Sequence, residues 1–163
     1  GRHRSLRKAM KRVGDGTTPE AFHRLRIVGK RFRYALEFLS DVYPGETKPL
    51  IRRTVALQDL LGDYQDAHVA IDRLRELATQ RADDLGPQAV FAMGAVAERY
   101  RAGMVDVRDR TERAYARVSG KQWKRLRKTL DAARPARAAA APAPAAAPAE
   151  PAAPEPAEAS PAS

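Results

Sequence analysis

The chain has no cysteine, which excludes a disulfide framework, a thiolate metal site and a cysteine nucleophile, and suits a reducing compartment. Aromatic residues are few: four Phe, five Tyr and one Trp among 163 residues leave little with which to stack on nucleobases. No apolar run approaches the roughly 20 residues needed to cross a bilayer. Arg and Lys interrupt every apolar stretch near the start, so no secretory signal is read there and no membrane partner is expected. The first residue is Gly1 and not a methionine, which points to a processed product or a piece of a longer chain. Also missing are a Gly-rich phosphate loop, a carboxylate cluster spaced for Mg²⁺, and a Ser beside a potential base. Cationic side chains alone hold a phosphate in its ground state and supply no nucleophile. The sequence therefore reads as a binding protein and not an enzyme, with no cofactor.

What is present is positive charge, unevenly placed. The net charge is +10. Residues 1–33 hold 11 Lys and Arg against Asp15 and Glu20, and residues 121–137 hold 7 against Asp131. The middle, residues 34–120, has 12 basic and 14 acidic residues. Concentration at both ends of the foldable part points to a polyanion-binding surface, with the two basic ends converging on one cleft.

The densest stretch runs from His23 to Tyr34, HRLRIVGKRFRY, with five Arg or Lys and one His. At about 100° and 1.5 Å per residue, His23, Arg26, Lys30 and Arg33 fall on one helical stripe. Leu25, Val28, Phe32, Ala35, Leu36 and Leu39 take the other side, an apolar face for a core. Only Glu20 and Glu37 flank the stripe. A soluble surface ordinarily mixes the two signs, whereas a row of cations on a rod suits a linear polyanion.

Punctuation along the chain predicts helices throughout. A first helix, about Arg2 to Val13, puts Leu6, Met10 and Val13 on one side and Arg4, Arg7, Lys8 and Lys11 on the other, and Gly14 to Gly16 ends it. Thr18 caps a second, with Pro19 and Glu20 suited to its first turn; Pro44 and Gly45 close it after Tyr43. A third starts near Pro49 and carries Leu57, Leu60, Leu61, Tyr64, Ala67, Ile71 and Leu74 at three-to-four spacing, with Gly62 as a kink or a point of close approach. After Gly86 and Pro87 a fourth run carries apolar residues from Val90 to Val118 with the spacing of a packed bundle seam, and a short basic helix follows around Trp123 to Leu130. The expected architecture is an all-α, antiparallel helical bundle with long helices over residues 1–134. A disordered Ala/Pro-rich tail is expected over 135–163, because Ala138 onward holds only Ala, Pro, Glu and Ser and has little to bury.

His23, Arg26, Lys30, Arg31, Arg33 and Tyr34, followed by LQDLLGDYQDAHVA from Leu57 to Ala70, resemble the second half of a CHAD domain, the conserved-histidine α-helical domain. The resemblance covers about Arg2 to Leu130. It implies paired helical bundles around a basic channel and binding of inorganic polyphosphate, with His23 as the conserved histidine. Arg26, Lys30, Arg31 and Arg33 would be the basic set, and Arg4, Lys8, Lys11, Lys124 and Arg127 a wider basic rim. His23 would strengthen as a donor when protonated. One such helix stands where two related halves supply two, so a missing N-terminal half-domain or a homodimer would complete the channel. A cytoplasmic location, with association to polyphosphate granules, goes with this reading.

Other residues carry two readings each. Asp59, Asp63 and Asp66 share a helix face, either orienting Arg or His of the second helix or forming a solvated acidic face. Glu20 and His23 have the Glu-x-x-His spacing of di-iron bundles, but no second pair is present and no metal is expected, with His68 a poor supplement. His3 reads as incidental in a fraying terminus. The rival function is nonspecific nucleic-acid binding, for which Tyr34 and Trp123 are the stacking candidates; a third is docking of an acidic protein.

Overall fold

The computed structural model describes residues 1–15 and 18–139 as six helices: α1 Arg2–Asp15, α2 Pro19–Ser40, α3 Pro44–Gln80, α4 Ala82–Gly103, α5 Val107–Val118 and α6 Lys121–Ala139. No strand occurs among the described residues. The all-α antiparallel bundle is as expected. The disorder expected of the tail concerns residues largely outside the described ones; of that segment, 135–139 continue α6.

Thr18 caps α2 by accepting a hydrogen bond from the Ala21 N–H at 3.2 Å. That helix stops at Ser40, short of the expected end, because Pro44 opens α3 and does not close α2. Proline suits a first helical position, where the missing N–H would have no partner. Here the Thr47 hydroxyl donates to the Tyr43 carbonyl at 2.7 Å and secures the turn. Pro49, the expected start, lies within α3 and forfeits one bond beside the exposed Gly45. Gly62 serves no close approach, since a Cβ there would meet nothing within 4 Å.

The expected fourth run is two helices. Met104 to Asp106 break it, and the backbone also kinks at Gly86, whose φ of 74° favours glycine. Nor is α4 a packed seam, because none of its residues is buried. At about 1.5 Å per residue α3 is roughly 55 Å long and α2 roughly 33 Å. The Phe22 ring of α2 packs, tilted by 37°, against the Tyr64 ring of α3 with centres 4.2 Å apart, so α2 covers the first part of α3 and α4 packs along the remainder.

The core lies where α1, α2, α3, α5 and α6 meet. Leu6 and Val13 of α1, Phe22, Leu25 and Leu36 of α2, Leu50, Leu57 and Leu61 of α3, Val118 and Leu126 are fully buried there. Arg53 ties α3 to the end of α5 by donating to the Arg117 carbonyl at 3.1 Å. His3 is no incidental terminal residue. Its ring stacks on Trp123 at 3.9 Å and meets the edge of Phe32 at 5.8 Å, joining α1, α2 and α6.

Candidate functional site

The α1 row that faces the core, Leu6, Ala9, Met10 and Val13, leaves Arg2, Ser5, Lys8 and Arg12 along one edge of the helix. On α2, Arg24 and Arg31 are two turns apart and turn toward that edge. Together these six residues, with Ala9 and Val28, line a groove of about 200 Å³. Among the described residues it contains five cations and no carboxylate, and none of the ion pairs there involves any of the five. All five are exposed, so their charges remain solvated and available.

Arg24 and Arg31 also border a second depression, of about 560 Å³, lined further by Pro19, Glu20, His23, Ile27, Val28 and Gln65. His23 is exposed there. The two hollows share Arg24, Val28 and Arg31, which makes one continuous basic surface across that side of α2.

The expected stripe is divided by this geometry. Arg31 belongs to the groove and His23 to the neighbouring hollow, while Arg26, Lys30 and Arg33 line neither. Lys30 is exposed and Arg26 half-buried. Arg33 is already engaged: its Nη1 donates to Glu37 at 3.1 Å and its guanidinium lies 5.0 Å from the Tyr34 ring centre. The Arg33 Nε, like the Gln58 Nε2, is a buried donor with no acceptor.

Of the expected rim only Lys8 reaches the groove. Arg4 and Lys11 stand exposed elsewhere on α1. Lys124 and Arg127 do not converge on it, because α6 docks through Trp123 on the His3 side of the bundle. Arg127 pairs with Asp131 at 3.4 Å. Arg2, Arg12 and Arg24 are the residues that sequence reasoning did not single out. Their spacing was visible, but which edge of α1 faces α2 depends on how the two helices pack.

Asp63 and Asp66 line a different cavity, of about 720 Å³, between α3, α4 and α5, together with Arg99 and Arg110. Neither they nor Asp59 make an ion pair or side-chain hydrogen bond to α2 among the described residues, so the solvated face is the better reading of the two. His68 bonds to the Tyr64 hydroxyl at 2.7 Å; that hydroxyl is pushed above its ordinary pKa by burial and by Glu20. Among the described residues no three His, Asp or Glu side chains cluster to hold a metal ion. No helix among them is long and apolar enough to cross a membrane.

The family model of the CHAD domain matches residues 1–75, the span of α1, α2 and most of α3. No curated protein and no solved structure matches the chain.

Proposed function

We propose that this chain, whose residues 1–75 belong to the CHAD domain family, binds inorganic polyphosphate on its basic α1–α2 surface. The observation that carries the reading is the groove where, among the described residues, five cations from two helices meet with no carboxylate. Folding places like charges together only against their mutual repulsion, and a chain of phosphates relieves that repulsion while releasing its own counterions. Arg24 and Arg31, each bordering both hollows, are the central pair, with Arg2, Lys8 and Arg12 opposite. His23, Arg26 and Lys30 extend the surface around α2. Arg4, Lys11, Lys124 and Arg127 raise the local potential that draws the polymer in, and Arg33 contributes less while it holds Glu37.

The reading is of binding without turnover, in a cytoplasmic setting where the polymer accumulates. Nucleic acid is the competing polyanion. Trp123 is committed to His3 and Phe32, so Tyr34, 54% exposed, is what remains of the stacking candidates. The test is charge reversal at the groove. Arg24→Glu with Arg31→Glu is expected to weaken binding of long-chain polyphosphate by roughly 100-fold or more with helicity unchanged by circular dichroism. Wild-type affinity in that variant would remove the groove as the site.

A further inference from the structure

The cavity of about 720 Å³ between α3, α4 and α5 shares no residue with the basic groove or the hollow beside it. Its volume is that of a small-molecule site, about 300–1,000 Å³. Leu60 and Ala67 of α3, Met104, and Val107 of α5 give it an apolar lining. Val96 and Tyr100 of α4 also line it and remain 45% and 44% exposed, so their apolar surface stays open to whatever enters. The charges around this lining are sorted by sign. Asp63 and Asp66 stand one turn apart on α3, whereas Arg99 stands on α4 and Arg110 on α5. Among the described residues Asp63, Asp66 and Arg99 enter no ion pair, and Arg110 reaches only Asp106, at 3.7 Å. Both signs thus border one cavity without closing it.

We propose that this cavity binds a short apolar peptide in its zwitterionic form, the ammonium group toward Asp63 and Asp66 and the carboxylate toward Arg99 and Arg110. Charge complementarity selects the occupant. An anion alone is repelled by the α3 wall and a cation alone by the α4 and α5 walls, whereas a molecule with one charge of each sign is matched on both. A free amino acid holds its two charges on one carbon, too close together to span walls that do not reach each other. One or two peptide bonds supply the missing length. An internal segment of an intact protein has the apolar body but no free termini. The four charged side chains are exposed, so each terminus adds selectivity and modest affinity, and the apolar lining supplies the rest. The inference does not rest on the polyphosphate reading, and the two carboxylates keep that polymer out.

The test is an NMR titration of the isotope-labelled full chain with leucyl-leucine, beside its N-acetyl and C-terminal amide forms, each of which lacks one charge. The expected results are a dissociation constant of about 1 mM or tighter, shifts centred on the amides of Ala67, Gly103 and Val107, and a loss of roughly fivefold or more for either blocked form. Asp63→Asn with Asp66→Asn should then bind leucyl-leucine no better than its N-acetyl form, and Arg99→Gln with Arg110→Gln no better than its amide. No binding of leucyl-leucine up to about 10 mM overturns the proposal. Equal affinity for all three forms overturns it too, because the hollow is then indifferent to charge. Binding that survives both double variants, or shifts centred outside the cavity, places the peptide elsewhere and overturns it equally.

Discussion

Arg24 and Arg31 differ from Arg26 and Lys30 in what surrounds them, although all four belong to one basic stretch. The first pair meets Lys8 and Arg12 across a groove; the second pair borders neither hollow. Reversing Arg26 and Lys30 to Glu is therefore expected to weaken polyphosphate binding less, by roughly tenfold, than reversing Arg24 and Arg31. Paired titrations of the two double variants check the order. The sequence showed the charge of this stretch plainly but not its division, because which residues face a neighbouring helix is a property of packing. His3 is the opposite case, a residue whose role was invisible without its partners. Burial first, then the charges of Arg7 and Arg127, hold it below its ordinary pKa of 6.5. The unfolded chain takes up a proton near that value that the folded chain refuses, so stability falls as pH drops below about 6.5. Thermal melts of His3→Phe should lose less on acidification than those of the wild type, and an identical loss would show that His3 is not responsible.

Capping chemistry explains which helix boundaries were legible. Thr18, Pro19 and Glu20 state one start in three residues, and the structure places α2 there. Pro44 was ambiguous, because a proline follows one helix and opens the next with equal ease. Gly86 and Pro87 marked a break, but not that Ala82 to Leu85 add a turn before it. With φ at 74° and ψ at 163°, a region essentially reserved for glycine, Gly86→Ala is expected to destabilise by about 1–3 kcal/mol even though a Cβ has free space there. Urea denaturation measures it, and an unchanged midpoint would show that the kink relaxes into ordinary helix. In the core, Leu57→Ala should lose about 2–5 kcal/mol, since Leu57 is wholly buried where α3 meets its neighbours. The three-to-four spacing of α3 identified it correctly. The same reasoning on α4 failed, because apolar spacing states that a face wants cover and not what covers it.

Over the whole molecule, the segregation of charge was legible from composition along the chain, and its geometry was not. Both basic ends were expected in one cleft, yet Trp123 fixes α6 on the His3 side and leaves α1 and α2 to form the groove. A surface of this kind binds any polyanion through counterion release, so affinity for polyphosphate should fall steeply with salt and fall less steeply in the Arg24→Glu, Arg31→Glu variant. Discrimination among polyanions is the harder requirement, and it separates a built groove from mere basicity. The most direct measurement is a competition titration at physiological salt between long-chain polyphosphate and single-stranded or duplex nucleic acid, matched in phosphate concentration. A groove shaped for bare phosphates predicts that polyphosphate wins by an order of magnitude or more; parity, or a preference for nucleic acid, would contradict it.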